Sequence, residues 1–384
     1  MLHITNGDAA ASVLRRTGIG GKVLAWREMW TDGPARRQWD GAEALAERAD
    51  LLMSMYGIPQ RLYLDEAKSR IGRLREAARH GEKIVLWFEY DLFDQAMLAS
   101  LLDGLWRWRI AEGWSPEVDL IVAGPNAVEG VEDFRGLGQL DPEQLAGLWP
   151  LRRRVTEAEQ SAGHRAWEAF ASPEPSALCD WMRTEGRREL PVMAEAMAFH
   201  LSRFPSTGDG LGVAERATLR ALAGTESGAE RPDRLFGRVG AELRWYGLAD
   251  LSYWGYLDRM AETGLVTVAG SPPLPKFGHE GAVEWERWRV RMTALGREVL
   301  DGPAAVGNSL SDIELAEDRT SRRLPAGHGD DGYAGRVRKG GDGDRLLAPL
   351  RNRWLGGVPP QSVGAAFWRY GGLDREGMPE IALR

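Results

Sequence analysis

Four short apolar runs are spaced through the first 125 residues: LHIT at 2–5, KVLAW at 22–26, KIVLWF at 83–88 and VDLIVA at 118–123. Their length and β-branched content predict strands, and the third is the uninterrupted apolar type expected of a strand buried on both faces. Between them, apolar residues recur at helical spacing. Leu45, Leu51 and Leu52 do so in 41–56, and Leu64, Ile71 and Leu74 in 60–80. Residues 92–112, rich in Leu and Trp, predict a further helix. Asn6-Gly7-Asp8 ahead of an alanine-rich stretch is a turn and helix-cap signature. Strands alternating with helices predict a parallel sheet with right-handed crossovers. The expectation for residues 1–125 is thus a small α/β domain, Rossmann-like or flavodoxin-like.

The pattern changes downstream. Residues 126–205 read mostly as helix, with a capped segment TEAEQSAGHRAWEAF at 156–170 and a short extended piece at 149–152. Over 206–301 a helix (VAERATLRALAG) precedes a loop, then DLSYWGYLDRMAETG, a helix closed by glycine. LVTV and WERWRVRM read as two strands joined across a Gly/Pro-rich loop, and TALGREVLDG as a closing helix. That layout is winged-helix-like. Residues 302–350 hold few large apolar side chains and are expected to be a disordered insertion. Aromatics return in 351–384, which is expected to dock back as a small strand pair.

Composition narrows the setting. No run approaches the 18 apolar residues of a membrane span. The N-terminus lacks the basic patch and apolar run of a signal peptide, so a cytoplasmic protein is expected. Cys179 is the sole cysteine, which excludes an intrachain disulfide and cysteine-rich zinc sites. A net charge of −7 disfavours a whole-molecule nucleic-acid binder and leaves only a local basic face open.

Candidate chemistry gathers where the strands end, because loops at the carboxyl ends of parallel strands converge. After the first strand come Asn6, Gly7 and Asp8, with His3 inside it. After the second come Arg27, Glu28, Asp32 and Gly33. After the third come Glu89, Tyr90, Asp91, Asp94 and Gln95. Each group has a bland reading taken singly: a helix cap, a core histidine, a turn, a solvated face. Together, carboxylates at Asp8, Glu28, Glu89, Asp91 and Asp94 would repel one another. Arg27, a Mg²⁺ ion held by Asp8 and Asp91, or raised carboxyl pKa values would offset that repulsion. On this reading Asp8, Asp91, Asp94 and His3 are catalytic candidates, and Asn6, Gly7, Arg27, Glu28 and Gln95 contact substrate. No GxGxxG follows the first strand, and there is no GxxxxGK[ST], GxSxG or HExxH. A conventional NAD or ATP site is therefore not expected.

LHITNGDAAA, VLAWREMWTDGP and VLWFEYDLFDQ resemble the motifs of the bacterial domain-of-unknown-function 1835 family: HI-x-NGD, a W-R-[DE]…GP loop, and LWF-x-x-D-x-x-D-Q. They occur in that order within residues 1–125. GLGVAERATLRAL, LADLSYWGYLDRM, TALGREVL and RWLGGV resemble the companion region that often follows. The resemblance implies that His3, Asn6, Gly7, Asp8, Trp26, Arg27, Gly33, Pro34, Trp87, Asp91, Asp94 and Gln95 belong to the motif set, whereas relatives vary at Glu89. It supplies a motif set rather than a reaction.

Two functions stay open at this level. One is an enzyme acting on a nucleotide or another phosphorylated small molecule. The other is a ligand sensor or transcriptional regulator whose winged helix contacts DNA or a protein partner. The helix over 250–262 that would enter a groove is net acidic, with Asp250, Asp258 and Glu262 against Arg259, and suits phosphates poorly. Arg287, Arg289 and Arg291 alternate along WERWRVRM and would share one strand face.

Overall fold

The computed structural model describes residues 1–131, 134–270, 274–279, 282–302, 350, 353–360 and 368–383. The expected insertion at 302–350 lies, apart from its two end residues, outside them. The first unit runs β1 (Leu2–Thr5), α1 (Asp8–Leu14), β2 (Lys22–Ala25), α2 (Ala42–Tyr56), α3 (Gln60–Arg79), β3 (Ile84–Glu89), α4 (Leu92–Glu112) and β4 (Val118–Ala123). Local sequence explains these elements. The four apolar strands are too short and too β-branched for helices. Asp91 caps α4 by accepting the Asp94 N–H, and Gly57 and Gly113 end α2 and α4 in left-handed conformations.

The strands order β2-β1-β3-β4 and all pair in parallel. The chain reverses its direction of travel between β1 and β3, which is where open α/β sheets leave a crevice. Period-two alternation divides the sheet's side chains between two layers. Leu2, Ile4, Ile84, Leu86 and Phe88 pack with α2, α3 and α4. Val85, Trp87 and Ile121 pack with α1 and the segment 134–149. A fifth strand, β5 (Arg153–Arg154), is antiparallel to β4, so the sheet is mostly rather than wholly parallel. The extended piece expected at 149–152 is displaced to 153–154, because Pro150 sits in a 3-10 turn over 149–151.

Helices follow: α5 (Pro142–Gly147), which precedes β5, then α6 (Glu157–Phe170), α7 (Ser176–Trp181), α8 (Arg187–Glu189) and α9 (Pro191–Leu201). Next come α10 (Val213–Ala223), β6 (Ala229–Glu230), α11 (Pro232–Glu242), α12 (Asp250–Glu262), β7 (Val266–Ala269), β8 (Arg289–Met292) and α13 (Ala294–Asp301). β6, β8 and β7 form an antiparallel sheet in that order. Residues 285–287 form a 3-10 turn, so Arg287 lies outside the strand, leaving Arg289 and Arg291 as its exposed arginines. β9 (Trp368–Leu373) and β10 (Pro379–Leu383) make a hairpin. It docks through Tyr370 N–H on Pro205 O and the Cys179 thiol on Pro379 O.

One core runs through most of these parts. Its aromatic centre is Trp26, Trp30, Trp39 and Trp167, whose rings meet edge to face at 4.8–6.3 Å. No described helix is long and apolar enough to cross a membrane.

Candidate functional site

The carboxyl edge of the sheet separates into three polar clusters rather than one. The central cluster sits at the β1/β3 crevice. Asn6 directly follows β1, and Glu89 ends the neighbouring β3. The Asn6 amide donates to Glu89 Oε1 at 2.7 Å and to both Asp94 oxygens at 3.0 Å. Glu89 also accepts the Leu137 N–H at 2.7 Å, and its own N–H donates to Asp94 Oδ2. Gln95 donates to the Glu89 carbonyl. The backbone presses on this cluster from outside. A Cβ at Gly136 would lie 2.8 Å from a Glu89 oxygen, and one at Gly247, whose φ is +61°, would meet the Asp91 carboxylate.

A cavity of about 310 Å³ opens on the cluster, with Asn6, Glu89, Asp91 and Asp94 on its floor. That is near the lower limit for small-molecule sites, about 300–1,000 Å³. Tyr90, Phe93 and Phe134 supply aromatic wall, and Phe236, Gly237, Gly240 and Ala241 of α11 line it as well. Arg135 and Arg244 also line it.

The electrostatics follow from burial. Desolvation, reinforced by the charge of Asp91, pushes Glu89 up to about 8, although Leu137 N–H and Asn6 favour its charged form. Desolvation raises Asp91 to about 6 against the pull of the Asp94 and Phe93 N–H groups. Asp94 is driven well above the carboxylate range by burial and by its two acidic neighbours. The cluster is therefore three carboxyls that do not ionise together. Near neutral pH it holds protonated and ionised members side by side.

The second cluster is on the surface. Arg27 makes a bidentate pair with Asp8, at 2.6 and 2.7 Å, and a 2.8 Å bridge to Glu66. Arg27 holds the Asp8 carboxyl below its usual range. Neither Asp8 nor Arg27 lines the cavity. The Asp8–Asp91 metal pair is accordingly not assembled, since both Asp8 oxygens are taken by Arg27. Among the described residues no three His, Cys, Asp or Glu side chains converge as a metal-holding group. Side-chain exposures of 62% for Asp8 and 46% for Arg27 place the pair among surface bridges worth about 0–1 kcal/mol. Asp8→Ala is expected to change unfolding stability by less than about 1 kcal/mol. A larger loss in urea denaturation would show that Asp8 does more than pair with Arg27.

The third cluster is structural and buried. Glu28 accepts from Arg48 at 2.7 Å and from Tyr63 at 2.8 Å, with Arg70 at 3.7 Å. Burial would raise its pKa, but Arg48 and Arg70 outweigh that and leave it lowered. Arg48 also donates to the Asp32 carbonyl and stacks over Trp30 at 4.6 Å. The Asp32 carboxylate accepts from Tyr56 at 2.7 Å and from Ser252 of α12 at 2.5 Å, with Arg203 at 3.6 Å. Glu28 thus anchors the loop after β2 to α2 and α3 and is not among the residues that line the cavity.

His3 is a core residue. Its Nε2 lies 3.1 Å from Gly20 O, and its Nδ1 accepts from Trp87 Nε1 at 3.1 Å. That assigns the proton to Nε2. Burial lowers the ring's pKa, favouring the neutral form. Gly20 precedes β2, so His3 faces the amino edge of the sheet, away from the cavity. Gly7 caps α1 and accepts the Ala11 N–H and the Thr5 hydroxyl; it too is outside the cavity lining.

Sequence reasoning missed half of the cavity wall. Residues 231–242 read as loop because Gly237 and Gly240 depress helix propensity. The available signal was Pro232 at the first helical position with Leu235 and Val239 one turn apart, the residues that α11 buries. Phe134, Arg135 and Arg244 carried no local signal at all. No family model and no curated protein matches the chain.

Proposed function

We propose that the chain is an enzyme acting on a nucleotide or another phosphorylated small molecule in the cavity at the β1/β3 edge. One observation carries this reading. Asp91, only 7% exposed, lines the cavity with backbone N–H groups as its partners and, among the described residues, no side chain paired with it. Buried charge without such a partner is costly, and that cost is offset when a ligand brings the missing groups. Glu89 serves as proton donor and Asp91 as acceptor, with Asn6, Asp94 and Gln95 as positioning residues. Arg244 and Arg135 suit a phosphate at the rim. Membership of the domain-of-unknown-function 1835 family and a cytoplasmic location belong to the same proposal.

The unit from α10 to α13 has the helix and strand order of a winged helix, which we propose it to be. Its use here is as a wall of the cavity rather than a reader of DNA. α12, the helix that would enter a groove, buries Tyr253, Trp254, Tyr256 and Leu257. Its Ser252 is bonded to Asp32 of the first unit.

Thermal melting against a panel of nucleoside monophosphates and sugar phosphates tests the enzyme reading. A ligand at 100 times its Kd adds about 2.7 kcal/mol. The melting temperature is expected to rise with some member of the panel and to rise less in Arg244→Ala. Identical melting under every condition would remove the proposal.

A further inference from the structure

The shape and chemistry of the cavity narrow both ligand and reaction; this step rests on the nucleotide reading above. We infer that the reaction is hydrolysis of the bond between a planar nitrogen heterocycle and the anomeric carbon of a sugar phosphate, with Glu89 as acid and Asp91 as base.

Three features point there. First, the α11 wall is a slot. A Cβ added at Gly237 or Gly240 meets nothing within 4 Å, so bare helix backbone faces open space in a cavity that Phe236, Phe93 and Phe134 also line. A flat ring is the ligand part that fits between aromatic faces and a side-chain-free helix surface. Second, the floor is acidic and buried, which suits a centre that becomes positive. Cleavage at an anomeric carbon passes through an oxocarbenium-like state that carboxylates stabilise, and it needs one carboxyl protonated and one ionised. Glu89 and Asp91 differ in that sense: burial next to Asp91 holds the Glu89 proton to about 8, while Asp91 titrates near 6. Third, Arg244 is exposed and lines the cavity, and among the described residues its guanidinium bonds only to Ala241 O near the end of α11, leaving donors for a phosphate.

The step balances. The C–N bond breaks with both electrons passing to the ring nitrogen, which takes the Glu89 proton. A water oxygen bonds to the anomeric carbon and gives its proton to Asp91. Proton exchange with solvent restores both carboxyls, and the products are the free base and the sugar phosphate. No oxidant or co-reactant other than water enters.

The test incubates the full-length chain with AMP, GMP, CMP and UMP and quantifies free base chromatographically, with melting shifts recorded in parallel. Base release is expected from at least one of them, falling off as pH rises above about 8. Loss of a general acid costs about 10²–10⁴-fold, so Glu89→Gln is expected to lower release at least 100-fold while keeping the nucleotide-induced melting shift. Gly240→Leu fills the slot and also improves helix propensity; it is expected to abolish release without lowering the melting temperature. Melting shifts with no base release would overturn the hydrolysis inference and leave the binding reading standing. Neither shift nor release would overturn both, and wild-type release by Gly240→Leu would overturn the assignment of the slot.

Discussion

Arg48→Met is expected to destabilise the protein by about 3–5 kcal/mol, the usual consequence of removing one partner from a buried ion pair. Arg48 is fully buried and holds Glu28, the Asp32 carbonyl and the Met29 carbonyl together. Methionine fills much of the same space over Trp30 but leaves Glu28 with Arg70, Tyr63 and the Met29 N–H. Whole domains are stable by only about 5–15 kcal/mol, so the effect is a large part of the total. The pH dependence has a definite sign. The wild-type Glu28 pKa is lowered in the fold, so its stabilising contribution is present above the ordinary carboxylate pKa and lost as pH falls through the folded value. In Arg48→Met burial is no longer outweighed to the same degree, so Glu28 takes up a proton more readily and the penalty shrinks on acidification. Adding Glu28→Gln to Arg48→Met is expected to restore part of the loss. Denaturant titrations at pH 5 and pH 8 measure all of this; a loss below about 1 kcal/mol at pH 8 would mean that Arg48 is not the counter-charge it is taken to be.

The carboxyl cluster gives the opposite sign. Glu89 moves from an ordinary 4.5 to about 8 on folding, and Asp94 is also raised. The folded state therefore binds protons that the unfolded chain releases. The contribution from Glu89 is fully present below about pH 4.5 and is lost as pH rises toward about 8. At about 1.4 kcal/mol for each pKa unit, the swing is on the order of 3–5 kcal/mol. Glu89→Gln keeps the shape and cannot ionise, so its stability relative to wild type is expected to climb over that window. Parallel stability curves for the two proteins from pH 5 to pH 9 would show that Glu89 is not held protonated by the fold. The same property underlies the proposed chemistry, because a carboxyl that keeps its proton at neutral pH is a usable acid.

The chain by itself determined the local elements. The strands at 2–5, 22–25, 84–89 and 118–123 and the helices over 42–56, 60–79, 92–112 and 250–262 follow from periodicity, β-branching and caps, all written within a few consecutive residues. Parallel order follows too, because strands separated by helices have few other ways to pair. That is enough to bring Asn6 and Glu89 to one edge. Which neighbours the polar residues meet there is another matter. Asp8 and Asp91 look alike in sequence, yet one meets Arg27 on the surface and the other lies buried over a cavity. Arg48 and Glu28 are 20 residues apart, and Ser252 and Asp32 are 220 apart. Pairings over such separations are settled by how whole layers pack. The cavity itself exists only because α11, from the far half of the chain, closes over the sheet edge. Burial, and with it the ionisation of every carboxyl in the site, was therefore decided by the tertiary structure.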